Sequence, residues 1–564
     1  MEKQRVTGAK AVIMSLLEEG VDTIFGYPGG AIMPIYDALY DYQQQINHVL
    51  TRHEQGAVHA AEGFAKVAGK AGVVFATSGP GATNILTGIA NAQIDSVPLV
   101  CITGQVASSL LGTDAFQESD MIGLSMPVTK WNYQVTTADE IPTALAKAFY
   151  IAQTGRPGPV LIDIAKDAQF QELDFEYQRC PKIRSYVPEL PIHVNKIEEA
   201  AILINNAKKP LVLVGQGVII AHAENELMQL LEKAGIPAAY TLLGLSAMPS
   251  NHYLNVGMLG MHGNYAPNIK TNEADLLIAV GMRFDDRVTG KVSEYGVKAK
   301  IIHIEIDPAE IHKIIKADVG VVGNAKKILP MLTEAIDENN HADWIAEFRA
   351  CDLVEQERVI KKATCPTSGG ITMGEVVKLV SESVNHDAVL VTDVGQHQMI
   401  ASRYFKFTQS RSNVTSGGLG TMGFGIPASI GAQIAAKNRK VVCFVGDGGF
   451  QMTLQELGTI VQNKLPIKII VLNNNFLGMV RQWQEMFFDR RYSFTELQNP
   501  NFTMISKGFG MEAFKVERRE DLSACVREML AHDGPCLLEV VVEKEENVFP
   551  MVPVGSSVSE VMLE

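Results

Sequence analysis

Val441-Val442-Cys443-Phe444-Val445-Gly446-Asp447-Gly448-Gly449, followed after a helix-length gap by Ile467-Lys468-Ile469-Ile470-Val471-Leu472-Asn473-Asn474, decides the fold of this chain. Both apolar runs read as buried strands. Between them, Thr453-Leu454-Gln455-Glu456 has the pattern of a capping box. It predicts a helix with Leu454, Leu457, Ile460 and Val461 on one face. The unit is long enough for a right-handed parallel crossover. Asp447 and Asn474 then stand at the carboxyl ends of neighbouring parallel strands, where open α/β sheets bind their ligands. One carboxylate and one amide oxygen suit a hard cation such as Mg²⁺ that also holds a diphosphate. Gly446, Gly448 and Gly449 let backbone N–H groups approach phosphate oxygens. Gly-Asp-Gly alone is common turn chemistry; the asparagine pair at the second strand end narrows the reading.

Working outward, 564 residues are too many for one core and predict three domains. The first, 1–185, alternates helices and strands. Ala9, Val12, Ile13, Leu16 and Leu17 form a helix face with Gly20 as its stop. Strands are expected at Thr23–Phe25, Val73–Thr77, Leu99–Thr103 and Val160–Ile164. Residues 170–195 lose periodicity and read as a linker. A second α/β domain, 190–340, opens on Pro210–Val214. Charged helical sequence over 336–368 breaks at Cys365–Gly370, a second linker. The third domain, 366–564, carries the aspartate motif. Its tail, Val548–Glu564, suits a disordered end or an active-site cover. The first and third domains read as distant structural repeats. The fold class expected is α/β, three domains each with a mainly parallel sheet flanked by helices.

A formal charge of −14 and a pI near 5.5 argue against nucleic acid or an anionic membrane as partner. No stretch is apolar for long enough to span a bilayer. Met1-Glu2-Lys3-Gln4-Arg5 leads into an amphipathic pattern, not a signal segment. Seven scattered cysteines without a CxxC read as reduced packing residues of a cytoplasmic protein.

In the first domain, Arg52-His53-Glu54-Gln55 precedes an alanine-rich helix expected over Ala57–Ala68. A glutamate there commonly does no more than satisfy the helix dipole. Thr77-Ser78-Gly79-Pro80-Gly81-Ala82-Thr83-Asn84 ends a strand and opens a helix like a phosphate loop, without the P-loop lysine. Gly26-Tyr27-Pro28-Gly29-Gly30 precedes a helix, and its backbone could approach a reacting carbon. In the middle domain, Gly215 and Gly217 follow one strand, Gly281 another, and the Ile301–Ile306 strand ends at Asp307. Glycines and an acid at strand ends suit a dinucleotide, although a lone GxG is equally at home in a ligand-free domain.

The aspartate motif has the spacing and strand-end context of thiamine diphosphate enzymes, and the chain resembles the acetohydroxyacid synthase catalytic subunits over nearly its whole length. The resemblance is carried by Phe25–Gly30, Arg52–Gln55, Thr77–Asn84, Ala115-Phe116-Gln117-Glu118 and Gly155–Pro159. Further along it is carried by Arg283-Phe284-Asp285-Asp286-Arg287, Gly395–Met399, Gly420–Gly423 and Gly478-Met479-Val480-Arg481-Gln482-Trp483.

That resemblance implies thiamine diphosphate, Mg²⁺ and FAD. Glu54 would activate the pyrimidine ring, with Gln117, Lys166 and Gly30 as the other catalytic positions. Tyr27, Pro28, Thr77, Pro80, Asn84 and Gln117 would hold the pyrimidine half. Gln396, His397, Gly446, Gly448 and Gly449 would lie along the diphosphate. Asp447, Asn474 and the Phe476 carbonyl would bind the metal, while Gly420, Met422 and Met479 would shape the cofactor. FAD would be contacted by Arg156, Gly215, Gly217, Thr241, Leu242, Gly260, Met261 and His262. Its contacts would continue through Gly281, Arg283, Asp285, Arg287, Glu305, Ile306 and Asp307. Phe116, Lys166, Val480 and Trp483 would line the substrate path, and Arg287 would also pair with the carboxylate of a 2-keto acid. The implied reaction decarboxylates pyruvate and joins the two-carbon unit to pyruvate or 2-ketobutyrate, in branched-chain amino-acid biosynthesis. The resemblance further implies a homodimer or homotetramer with shared active sites, and in many members a small regulatory subunit. A pyruvate oxidase-like flavoenzyme, a catabolic acetolactate synthase and an inactive scaffolding relative are the competing readings.

Overall fold

The computed structural model describes residues 4–564, so Met1–Lys3 of the opening segment lie outside the described residues. Three six-stranded sheets organise the chain, and every neighbouring strand pair within them is parallel. The central strands are buried on both faces, which explains their continuous apolar sequence.

In the first sheet the strands lie in the order Asn47–Leu50, Thr23–Gly26, Gly72–Ala76, Leu99–Gln105, Pro159–Ala165, Trp131–Val135. The third sheet runs Asn413–Val414, Val389–Thr392, Val441–Gly446, Lys468–Asn473, Cys536–Val541, Glu512–Val516. Counted in chain order, each is 2-1-3-4-6-5. The middle sheet differs. Its order is Asn255–Met258, Ala238–Tyr240, Pro210–Val214, Leu276–Val280, Lys300–Glu305, Val319–Val322, or 3-2-1-4-5-6. That is the order of doubly wound dinucleotide folds, with the switch point between Pro210–Val214 and Leu276–Val280.

The first and third domains share one apolar core, in which Phe25, Val58 and Leu161 cluster with Phe424, Val445 and Ile469. Its spine is the Glu54–Ala68 helix against the Gly425–Ala435 helix. Glycine makes that approach feasible: a Cβ at Gly63 would collide with the Ala428 carbonyl, and one at Gly431 with the Ala60 carbonyl.

Several local expectations need correction. Thr453 does not cap a helix. Helix runs from Asp447 to Thr453, passes through a 3₁₀ turn at Leu454–Glu456, and resumes over Leu457–Gln462. The Thr453 hydroxyl instead donates to the Gly423 carbonyl at 3.0 Å, and Glu456 accepts the Arg52 backbone N–H. The helix placed at Ala57–Ala68 begins three residues earlier, at Glu54, because His53 caps it. The 170–195 linker is not wholly irregular, since Glu172–Phe175 pairs antiparallel with Gln4–Thr7. The Val548–Glu564 tail is ordered against the middle domain. Val552 N–H donates to the Met261 carbonyl at 2.8 Å, and Lys291 N–H donates to Ser556 at 2.9 Å. All seven cysteines are free, and no helix among the described residues is long and apolar enough to cross a membrane.

Candidate active site

The Val441–Gly446 and Lys468–Asn473 strands pair directly, so Asp447 and Asn474 emerge side by side at one sheet edge. The Asp447 carboxylate is buried, and burial raises its pKa to about 6. Its Oδ2 accepts from Asn499 Nδ2 at 2.7 Å, a side chain that also reaches Asn473 Oδ1 and Asn475 Oδ1. Asn474 Oδ1 accepts the Phe476 N–H at 3.1 Å, folding a tight turn directly after the second strand. Among the described residues no cluster of three His, Cys, Asp or Glu side chains could hold a metal unaided. A single carboxylate with neutral oxygens fits a hard cation that takes its remaining ligands from a diphosphate. Gln396 and His397 start a helix opposite. Burial pushes the His397 imidazole down to about 3, and its Nε2 is buried without a partner, as a residue awaiting a polar ligand would be. Asn474 Nδ2 lies 3.4 Å from Gln396 Oε1, closing the group.

A second group forms on the first domain. Glu54, nearly buried, opens its helix and accepts from Asn84 Nδ2 at 3.0 Å. Gly81 leaves room beside it, since even a Cβ there would come within 3.1 Å of Glu54 Oε1. Thr77 Oγ1 accepts the Ala31 N–H at 3.1 Å, and Gly29 packs on the same side chain, seating the Gly26–Gly30 loop against Thr77–Pro80. Gln117, in the left-handed region at φ 59°, sits over Gly79. Tyr27, Pro28, Gly30 and Pro80 are exposed, Lys166 is half-buried, and Phe116 is 87% exposed.

The third element is a cavity of about 960 Å³ at the meeting of all three domains, at the upper end of small-molecule sites. Arg156, Gly217, Thr241, Leu242, Met261, His262, Gly281, Arg283, Asp285, Arg287, Glu305 and Ile306 all border it. So do Gly420, Met422, Met479, Val480 and Trp483 at its other end. Gly215, Gly260 and Asp307 do not. Gly215 and Gly217 are required by Gly281, whose backbone a Cβ on either would strike. Gly260 has φ 103°, and Asp307 pairs with Arg156 at 3.3 Å. Burial lifts the Glu305 carboxyl to about 7 and lowers His262 to about 3, and His262 Nδ1 is buried without a partner. The three-domain lining, the volume and the orphaned polar atom fit a dinucleotide such as FAD. Near the Met422 end, the Arg287 guanidinium lies 5.6 Å from the Trp483 ring centroid, within cation–π range.

The cavity touches the diphosphate group only at its edge, through Gly395 beside Gln396 and Met422 near Gly448. Glu54, Thr77, Asn84, Phe116, Gln117 and Lys166 do not border the cavity, and neither do Asp447 or Asn474. Sequence reasoning missed Asn499, which precedes Pro500 in an irregular segment with no ligand spacing. It also missed Asp393, which accepts the Gly423 and Gly425 N–H groups at 3.1 and 2.8 Å. A signal existed there: Asp393 follows a strand, as Asp447 does.

Three family descriptions match the chain. Residues 6–124 match "Thiamine pyrophosphate enzyme, N-terminal TPP binding domain", 197–332 its central domain and 393–540 its C-terminal TPP binding domain. The chain is 46% identical to "Acetolactate synthase large subunit" of Corynebacterium glutamicum over 99% of its own length and 90% of that protein. It is 45% identical to "Acetolactate synthase isozyme 2 large subunit" of Escherichia coli, covering 99% of both. A "Probable acetolactate synthase large subunit" of Methanocaldococcus jannaschii is 43% identical over 98% of this chain and 95% of the relative.

Proposed function

Because the chain belongs to the acetolactate synthase large-subunit family of thiamine diphosphate enzymes, we propose that it decarboxylates pyruvate and joins the two-carbon unit to pyruvate or 2-ketobutyrate. The products are 2-acetolactate and 2-aceto-2-hydroxybutyrate, precursors of branched-chain amino acids. Bound thiamine diphosphate supplies the electron sink that lets a 2-keto acid lose CO₂ and add to a second carbonyl.

The residues divide the work. Asp447, Asn474 and the Phe476 carbonyl hold Mg²⁺, with Asn499 fixing the carboxylate. Gln396, His397 and the Gly446–Gly449 backbone hold the diphosphate. Glu54, oriented by Asn84, holds a proton at the pyrimidine nitrogen, the task of a buried carboxylate beside a basic ring. Thr77, Pro80, Tyr27 and Pro28 seat that ring. Met422 and Met479 would shape the space between the halves, and Arg156, Glu305 and Ile306 would be among the residues holding FAD in the three-domain cavity. Gln117, Lys166, Phe116 and the Gly30 backbone border the substrate.

Two copies are needed. On the domain that carries Glu54, Tyr27, Met33, Phe116 and Met126 are 40%, 50%, 87% and 64% exposed. A second copy of this chain would cover that surface and bring Glu54 to the partner's diphosphate site. The enzyme would thus be a homodimer or homotetramer with shared sites, with a small regulatory subunit as a candidate partner and the cytoplasm as its place of work.

The observation favouring a carboligase over an oxidase is Arg287 against Trp483 at the Met422 end of the cavity. A guanidinium suits the carboxylate of a second keto acid, and the indole offers an apolar face to its side chain. The deciding experiment measures acetolactate from pyruvate with thiamine diphosphate, Mg²⁺ and FAD each withheld and restored, while oxygen is monitored. Acetolactate without oxygen uptake is expected. Oxygen consumption with acetate or acetyl phosphate as product would replace this reading with the oxidase.

A further inference from the structure

The thiamine reading leaves unexplained a buried ion pair within the first domain whose remaining hydrogen bonds cross into the third. Asp95 ends a first-domain helix, and Lys66 lies on the Glu54–Ala68 helix. Their side chains meet at 2.9 Å, Asp95 fully buried and Lys66 nearly so. The pair joins two first-domain helices, and the remaining polar atoms of both side chains are directed at the third domain. Asp95 Oδ2 and Oδ1 accept the backbone N–H groups of Gly417 and Gly418 at 3.0 and 2.8 Å. Lys66 donates to the Thr415 carbonyl at 2.5 Å. A parallel contact lies beside it: Asn91 Oδ1 accepts from Ser416 Oγ at 2.6 Å and Thr421 Oγ1 at 3.1 Å, and Ser416 Oγ accepts the Thr421 N–H.

We propose that Asp95, braced by Lys66, is a positioning residue through which the first domain holds the third domain's Ser416–Met422 loop in the shape that thiamine diphosphate requires. Desolvating two charges is costly unless the geometry uses them, and here both are spent on loop backbone. The loop is gripped at its far end by a second buried carboxylate, Asp393, on Gly423 and Gly425. Leu419–Met422 are therefore the short span between two carboxylate clamps. Gly420 turns that span at φ 68°, and Met422 emerges from it into the cavity. Glycine is needed at the gripped positions as well, since a Cβ on Gly417 would come within 2.7 Å of Leu243 and one on Gly418 within 2.8 Å of Ile94. One of the two clamps that set the loop's height over the sheet edge thus comes from outside its own domain.

This inference rests on the thiamine reading, so the wild-type protein is titrated first: failure of wild-type binding would reject that reading and not this one. Thiamine diphosphate with Mg²⁺ is then titrated into full-length Asp95→Asn and Lys66→Met, with near-ultraviolet circular dichroism reporting the bound cofactor. Asparagine offers one acceptor where the carboxylate offered two. Titrated well below the melting temperature, cofactor affinity is expected to fall about tenfold or more, as for loss of a charged hydrogen bond, with an altered cofactor band and an unchanged elution volume, while melting temperature falls because one buried charge is left unpaired. Lys66→Met should shift both readouts in the same direction by less. Wild-type affinity and an unchanged band in both variants would overturn the proposal. Should Asp95→Asn fail to fold, Ser416→Ala removes only the loop's hydroxyl link to Asn91 and Thr421, and an unchanged affinity there would overturn it equally.

Discussion

The first and third domains have the same strand order and the same helix after their second strand, and those two helices pack on one another. They even share a buried acid on the strand sixth in chain order: Asp163 accepts from Thr103, and Glu539 from Asn473. What differs is the strand-end loops. After the second strand, the first domain spends only Thr51–His53 before its helix, which puts Glu54 in the first turn. The third domain spends Thr415–Phe424 there, building the loop that carries Met422. After the third strand, the first domain offers Thr77–Gly79, small and uncharged. The third offers Asp447. On the proposed reading, one scaffold serves an uncharged ring in one copy and a metal diphosphate in the other, because ligand chemistry resides in loops that the sheet only positions.

Breaking the comparison at its charged end should have the largest effect. Asp447→Ala removes the only carboxylate of the metal group, so Mg²⁺-dependent thiamine diphosphate binding, followed by calorimetry, should disappear along with activity. Glu54→Gln should behave oppositely. Binding is expected to survive while kcat falls by roughly 10²–10⁴, the usual contribution of a proton-transferring group. A Glu54→Gln enzyme with near-normal kcat would remove that residue from the proposed mechanism.

Sequence and structure agreed unevenly, for physical reasons. Three parallel sheets were legible because strands buried on both faces need unbroken apolar runs, as Val441–Val445 and Ile469–Leu472 show. Asp447 and Asn474 were legible because their strands pair directly, so a linear motif is also a spatial one. Thr453 misled because a capping box describes only local options. In the fold its hydroxyl finds Gly423, thirty positions away in the chain, and Glu456 is drawn to Arg52 in another domain. Asn499, Asp95 and the docked tail were invisible for the same reason: their partners lie far off in sequence and follow no period. The middle domain's 3-2-1-4-5-6 order, in contrast, follows from pairing no single-strand pattern reveals.

Smaller effects sharpen the picture. Trp483→Leu should leave the cofactors bound but shift the product ratio from mixed pyruvate and 2-ketobutyrate by about tenfold, the scale of discrimination over one methyl group. An unchanged ratio would confine Trp483 to packing. Gly431→Val tests whether the two domains depend on close helix approach. Forcing a branched side chain against the Ala60 carbonyl should cost about 1–3 kcal/mol, read as a lowered melting temperature with no change in Glu54-dependent chemistry.

The smallest effect concerns an acid found only on the third domain. The Glu546 carboxyl accepts the Met373 N–H at 3.0 Å, and its main-chain carbonyl accepts from Gln396 Nε2 at 2.9 Å. Burial, with Glu375 and Glu543 nearby, raises its pKa to about 7. A carboxyl whose folded pKa lies above its unfolded value near 4.5 binds its proton more tightly in the native state. Its contribution is therefore fully present at low pH and is lost as pH rises from about 4.5 through 7. Glu546→Gln keeps the carbonyl that holds Gln396 and mimics the protonated acid, so it should melt with the wild type near pH 4.5 and about 2–6 °C above it at pH 8. Parallel melting curves across that window would mean that Glu546 is ionised in the native protein, and that the third domain carries its extra acid without a stability cost.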